Sequence, residues 1–439
     1  MKKRTYAESL TAVFVAVVFS TFVLYTGARG YQAIQMAKFS AFCWIFGGFL
    51  GLMILLFAEL WIVGQRRPVA SFVRWRSWSC AKKLVALYWL LTVISALASP
   101  FWPQTLIGMT REEGLLTVSI YCGCFFCVAE YVRPRPWMMH LICAVTTVFC
   151  VYCLLQMAGY DPLHLYPPGY GYQNANIDYA GIYLGTIGNA DLTAALLCMA
   201  AAASGIWLLA GRSRARLWSV LPFGLCLWTL WRLQVQAGLL AMTAGAFVIL
   251  PLILPCSTKK RKWLWLSSAL LALAALTGIY LFAPDSGTLH ELQQVLHGNW
   301  DPAFGNARIF IWREVLVRIP QHIWLGVGPD TMAAAGISYY SRVVDGVSIP
   351  VIVDTAHNEY LNILYHQGAP ALAVYLGALG SSLGSWLKRG REDLASAICG
   401  GVLLCYGIQA FFSFSMCAVT GVFWVVWGIL ECRKTEGEK

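Results

Sequence analysis

Charge is scarce in this chain: Asp, Glu, Lys and Arg make up 12% of its 439 residues, while 59% are hydrophobic. The scarcity is sharpest inside the long apolar blocks, where Glu59, Glu130 and Asp191 all sit close to block ends and read as boundary residues. Transporters and pumps place ionisable groups at mid-membrane for function, at a cost of roughly 2.5–3.5 kcal/mol each on insertion scales. Blocks this bare argue against that class. Cysteine is absent from every segment read below as an outside loop. All fifteen fall in predicted helices or cytoplasmic turns, including "CGCFFC" at 122–127, whose spacing is no zinc ribbon and reads as small apolar packing. No metal site is expected. "GVGPD" at 326–330 lacks the further glycines and the lysine of a nucleotide-phosphate loop.

What is present is length. With a mean hydropathy of +0.62, the apolar residues come in blocks near the ~20 residues that cross a ~30 Å hydrocarbon layer as a helix. They lie at about 9–27, 40–63, 84–98, 115–131, 137–158, 190–210, 216–231, 236–254, 263–283, 369–387, 393–413 and 415–431. The N-terminal run has no convincing small-residue cleavage site after it and reads as the first membrane helix rather than a signal peptide. The expected fold is therefore all-α and polytopic, with about 12 transmembrane helices. Residues 1–283 carry nine of them, 284–368 form one large extracytoplasmic loop, and 369–439 carry the last three and a tail.

The net charge of +11 is explained by this topology. The basic clusters at 2–4, 65–83, 132–136, 211–216, 259–262, 387–391 and 432–434 all fall on one side of a twelve-span chain, the cytoplasmic side by the positive-inside rule. Both termini are then cytoplasmic, and no nucleic acid partner is needed. The loop 284–368 has the opposite balance, eight Asp/Glu against four Arg and no Lys, with five of the seven histidines. Polar chemistry gathered outside, at a membrane surface, suits an enzyme acting on something presented there.

Three outside segments look organised. In "SPFWPQTLIGMTREEGLLT" (99–117), Glu112 and Glu113 suit the positive end of the helix that follows, whereas Arg111 is a cation at the wrong end. "YPPGYGYQNANIDYAGIYLGTIGNADLT" (166–193) offers aromatic faces that suit sugar stacking or an interfacial belt. In "GNARIFIWREVLVRIPQHIWLGVGPDT" (305–331), Ile309, Trp312, Leu316 and Ile319 recur at helical spacing, with Arg308, Arg313, Glu314 and Arg318 elsewhere on the wheel. Asn306 is placed to cap that helix and Pro320 to end it. This predicts an amphipathic helix on the membrane surface.

"DTAHNEYLNILYHQG" (354–368) then crowds two histidines, two carboxylates and two asparagines together before the next block. With Asp354 or Thr355 as N-cap, His357 and Asn358 would lie in a first helical turn. The positive helix end would keep that imidazole neutral and able to take a proton from a hydroxyl. An interfacial histidine with a structural hydrogen bond is the plainer reading; Asp354, Glu359 and the nearby arginines favour the chemical one.

The ordered set of motifs resembles the O-antigen ligase/O-antigen polymerase family of bacterial membrane glycosyltransferases. Arg308 and Trp312 match its Arg-x-x-x-Trp helix, Gly326 and Gly328 its Gly-x-Gly turn, and His357, Asn358 and Leu361 its His-Asn-x-x-Leu motif, with Gly368 before the next helix. "GMTREEGLLT" and "GTIGNADLTA" resemble further family segments upstream. The resemblance implies transfer of a glycan from an undecaprenyl-diphosphate carrier to a glycan, lipid or protein acceptor hydroxyl, on the outer face of the bacterial cytoplasmic membrane. It further implies an inverting, metal-independent reaction without cofactors. His357 would be the base, and Arg308 and Arg111 would hold the diphosphate, supported by Asn358, Trp312, Glu359 and Gly328. One departure is Gln236, where relatives often carry arginine; Arg232 lies one turn earlier. A repeat-unit polymerase and a protein O-oligosaccharyltransferase are variants of the same chemistry. The readings from other classes are a polysaccharide or lipid transporter and a membrane scaffold with a sensor loop.

Overall fold

The computed structural model describes residues 2–64, 75–172, 183–254, 256–282, 284–344, 347–389 and 393–432, with side chains described from residue 6 onward outside 339–349. Residues 173–182 of the aromatic outer segment, 65–74 of one basic run, 390–391 of another and 433–434 of the last lie outside these.

Each of the twelve apolar blocks overlaps a helix. In chain order these are α1 (Lys2–Val17), α2 (Ile34–Ile62), α3 (Cys80–Ala98), α4 (Leu115–Tyr131), α5 (Pro136–Met157), α6 (Ala190–Ala210), α7 (Val220–Leu233), α8 (Gln236–Ile253) and α9 (Thr258–Phe282). Two short helices, α10 (Thr288–Leu296) and α11 (Phe304–Arg318), precede α12 (Glu359–Arg389), α13 (Leu394–Ala410) and α14 (Cys417–Leu430). Helices α2, α3, α5, α6, α8 and α9 are long and apolar enough to cross a membrane, and apolar segments in α1, α4, α13 and α14 are shorter. An apolar segment in water-free surroundings must satisfy its own backbone, and a helix does so within itself. Among the described residues the fold is all-α apart from one hairpin, β1 (Ser338–Val344) antiparallel to β2 (Val347–Ile352), which the sequence reading did not anticipate.

Helices α6 and α14 form the centre. Nearly every residue of α14 is buried, and α6 buries Leu192 through Trp207 almost without a break. The small side chains of α6 (Ala194, Ala195, Ala201, Ala202, Ala203) let α7, α8 and α13 close on it. Helix α9 is the opposite case: none of its side chains is buried, and it leans only on α8 and α10 among the helices it packs against closely.

Two ends are distinct. At one, Arg133 pairs with Glu8 at 2.9 Å, Lys82 approaches Glu130 at 4.0 Å, and Ser79 donates to Glu431. At the other, the polar segments 99–114, 183–191 and 301–358 meet. The backbone amide of Met109 bonds the carbonyl of Asp330, Ser99 donates to the carbonyl of Val327, and Arg308 reaches Asp191. The sequence's three outside segments thus gather at one end of the bundle.

Candidate active site

Helix α12 carries the crowded segment, and its start differs from expectation. Asn358 is the N-cap: its Oδ1 accepts from the amide of Leu361 at 3.0 Å, and the helix begins at Glu359. His357 therefore sits one residue before the cap, with a left-handed φ of 48°, not within the first turn. The dipole argument for its neutrality loses its geometry. What holds His357 is its neighbour. The amide of Ala356 donates to Asn362 Oδ1 at 2.8 Å, and its carbonyl accepts the indole N–H of Trp312 at 2.8 Å. Asn362 also donates to Thr355 at 2.8 Å.

Glycine makes the platform possible. Gly328 has φ of 106°, and a Cβ there would stand 2.5 Å from Ser99 Oγ; its amide bonds the carbonyl of His366. Gly368 (φ 84°) breaks α12 so that Ala369 can bond Ile323, and a Cβ on it would lie 2.4 Å from the Trp324 carbonyl. The turn at 326–330 thereby docks against α12 and fixes where its first residues point.

Glu359 is buried and accepts from the hydroxyls of Tyr375 and Tyr406, at 2.6 and 2.9 Å. It anchors α12 to α13. His366 is also buried, and its Nε2 has no partner among the described residues.

Helix α11 starts with an irregular turn. Gly305, Asn306 and Ala307 all have positive φ, so Asn306 does not cap the helix from its side chain as expected. The buried face is Ala307, Ile311, Val315 and Ile319; of the expected stripe Ile319 is buried and Trp312 partly so, while Leu316 points outward. Ile311, Val315 and Ile319 pack with Val327, Met332, Val353 and Leu361 in a small core of the loop's own. Arg308 and Trp312, four residues apart, share one side of α11. Trp312 reaches Ala356, and Arg308 reaches Asp191.

Asp191, read from the sequence as a boundary residue, does lie at a helix end, and it has long-range partners that the sequence does not reveal. It occupies the first turn of α6, behind the Asn189 cap, where a carboxylate suits the helix end. Its Oδ2 lies 3.1 Å from Arg308 Nη2 and 3.5 Å from His357 Nδ1. The two sequence-chosen groups on 305–331 and 354–368 thus meet through a third. All three side chains are mostly buried, His357 being the most open at 31%. Arg308 also donates to the Gly305 carbonyl at 2.9 Å, while its Nε is buried with no hydrogen-bond partner among the described residues.

Arg111 is held differently. Its Nε and Nη2 form a two-pronged pair with Asp354, at 2.9 and 3.0 Å. Its guanidinium lies 4.4 Å from the Phe414 ring centre, and the same ring meets His357 edge-on at 5.3 Å. Arg111 is close enough to act on Asp191 electrostatically, but it is not a free cation at rest. Its backbone is fixed by Asp330, whose carboxylate accepts from the amides of Thr110 and Arg111 and from the Thr110 hydroxyl. Glu112 and Glu113 precede α4's first turn rather than joining it. Glu112 accepts from Gln35, and Glu113 accepts from Tyr121 at 2.7 Å. Burial pushes the Glu113 carboxyl well above the usual range, and Asp330 is raised for the same reason against the pull of its donors.

Below Arg111 a cavity of about 50 Å³, room for a few waters, is lined by Tyr88, Glu113, Tyr121, Glu359, His366 and Trp424 among others. Gln236 and Arg232 are exposed, Arg232 lying near the Trp231 ring.

The model of one protein family, described as O-antigen ligase, matches residues 221–376. The match contains Arg308, Trp312, Gly328, His357, Asn358 and Glu359, and it bears out the family resemblance read from those motifs. Arg111 and Asp191 lie upstream of it. No curated protein matches the chain. With its apolar helices, the chain is a multi-pass membrane protein, and the stretch matched by the O-antigen ligase model carries much of its candidate site.

Proposed function

We propose that the protein transfers a glycan from an undecaprenyl-diphosphate carrier to an acceptor hydroxyl at the outer face of the bacterial cytoplasmic membrane. The observation that carries this reading is the meeting of His357 and Arg308, both in the matched region, at one aspartate upstream of it, at the end of the bundle where the polar loops gather. A base and a diphosphate cation held within one contact network are what an acid–base group transfer requires.

In this reading His357 takes the proton from the acceptor O–H as that oxygen bonds the anomeric carbon. The carbon–oxygen bond to the diphosphate breaks, and its electron pair stays on the leaving undecaprenyl diphosphate. Arg308 neutralises the charge that develops there, its unpartnered Nε being a donor ready for a phosphate oxygen. Arg111 is the second cation, able to turn from Asp354 toward the same group. A single base and a leaving group on opposite sides of the sugar make the reaction inverting, and arginines take the part a divalent cation plays elsewhere. The loop 284–368 is then the catalytic unit between membrane regions 1–283 and 369–439. Both termini are cytoplasmic, as the Lys- and Arg-bearing end of the bundle supports.

The test is transfer in proteoliposomes loaded with a glycan-bearing undecaprenyl diphosphate, with sugar, lipid and peptide acceptors in separate arms. His357→Ala protein that inserts and melts like wild type should lose at least ~10²-fold in rate, the usual worth of a general base. Wild-type rates from that variant would remove the assignment. Lipid flipping by the protein alone, without transfer, would favour a transporter.

A further inference from the structure

One carboxylate oxygen serves two groups in this site. Asp191 Oδ2 is 3.1 Å from Arg308 Nη2 and 3.5 Å from His357 Nδ1, the first a hydrogen bond and the second still short of one. The other contacts of the two partners leave gaps. Arg308 satisfies Nη1 on the Gly305 carbonyl but leaves a buried Nε unpaired, and His357 Nδ1 is buried without a hydrogen bond, both among the described residues. Asp191 itself is not free to wander. Its backbone carbonyl accepts from Gln409 at 3.1 Å, and its place in the first turn of α6 is capped by Asn189.

We propose that Asp191 is a positioning residue that couples donor binding to the base. This rests on the proposed transfer reaction and deepens it. In the resting protein Asp191 competes for Arg308 with any incoming phosphate. When the diphosphate of the donor takes Arg308, through Nε and a freed Nη2, Asp191 loses its stronger partner. It then closes the short remaining distance and accepts the N–H of His357 Nδ1. That fixes the tautomer, directing the Nε2 lone pair away from Asp191 toward the acceptor hydroxyl, and it steadies the imidazolium once the proton arrives. No new bond is formed or broken by Asp191. The proton passes from acceptor oxygen to Nε2 and leaves from there to solvent, since His357 is partly exposed. The arrangement makes the base effective only when a donor is seated, so that an empty site does not catch acceptors unproductively.

The signature is a split that a structural role would not produce. Removing the negative charge should help the diphosphate and hurt the chemistry. Asp191→Asn is expected to bind undecaprenyl diphosphate in vesicles about fivefold more tightly or better, while kcat for transfer falls by roughly 10²-fold. Asp191→Glu, with the charge restored on a longer arm, should return binding toward wild type and recover part of kcat. In the double variant Asp191→Asn/Arg308→Ala, the tightening should vanish relative to Arg308→Ala alone, because it runs through Arg308. The coupling is overturned if Asp191→Asn binds undecaprenyl diphosphate no better than wild type, or if binding, kcat and melting temperature all fall together. The binding arm uses no acceptor, so failure of wild type to transfer any glycan would count against the proposed reaction while leaving the competition at Arg308 independently decided.

Discussion

The indole N–H of Trp312 donates to the carbonyl oxygen of Ala356 at 2.8 Å, 44 residues along the chain and next to His357. Trp312 also meets Phe411 edge-on and lies near Phe412. Trp312→Phe keeps those ring contacts and removes only the bond, which is worth roughly 1 kcal/mol. The protein should therefore fold, with a melting point lowered by a few degrees, while amide exchange at 354–358 speeds up and transfer drops about tenfold. A variant with unchanged exchange there would show that Asn362 alone holds the His357 segment.

Glycines separate into those that need their space and those that need only their angle. Gly328 and Gly336 both have positive φ, but a Cβ at Gly328 would press on Ser99 and Thr105, whereas nothing lies within 4 Å of one at Gly336. Gly336→Ala should cost only the left-handed conformation, about 1–2 kcal/mol. Gly328→Ala must also push the turn away from α3 and should cost several kcal/mol more, seen as lost folded yield from detergent extracts. Equal yields would mean that the 326–330 turn can detach without consequence.

Much of this was readable in the sequence because helices in membranes are written in composition. Twelve apolar blocks became twelve helices, and the Arg308–Trp312 spacing gave a shared helix side. The failures are local or long-range. The start of α12 was ambiguous because Asp354, Thr355 and Asn358 are all good caps, and only the contacts of Asn362 and Trp312 with Ala356 decide for Asn358. The hairpin was hidden by Pro350 in an otherwise β-rich run. Asp191 had a sufficient local excuse at its helix start, and the partner that gives it meaning is 117 residues away. Arg111 stood out as a cation at a helix N-terminus, but nothing nearby in the sequence named Asp354, 243 residues on, as its partner.

Glu113 provides a pH test. Its carboxyl accepts from Tyr121 and its value is raised well above 4.5 by burial, with Asp330, Glu359 and Glu112 adding repulsion. A carboxyl raised in the folded state favours folding most when protonated. The stability it contributes is present below the unfolded value and is lost as pH climbs through the folded one. Glu113→Gln keeps an acceptor for Tyr121 and has no charge to desolvate. Thermal melts between pH 5 and 8 should show wild type losing more stability with rising pH than the variant. The two curves should lie closest at pH 5 and the variant should be the more stable at pH 8. Parallel curves would mean that Glu113 is solvated well enough to ionise freely.

Lysine replacements rank the two arginines. Arg308 works through geometry: Nη1 on Gly305, Nη2 on Asp191 and a buried Nε with no hydrogen-bond partner among the described residues. A lysine ammonium is one compact charge and cannot reproduce that fork. Arg308→Lys should therefore lose ~10²-fold in transfer, most of it in kcat if the contact strengthens as the diphosphate leaves. Arg111 is engaged by Asp354 and stacked on Phe414, so Arg111→Lys keeps the ion pair and a charge near the site while losing the stacking. Its loss should stay within about tenfold, because the charge and the partly buried ion pair both survive the change. If the two variants fall equally, Arg111 must leave Asp354 during turnover and grip the diphosphate as closely as Arg308 does. Asp354→Asn would then be expected to tighten donor binding, as releasing Arg111 frees it for the phosphate.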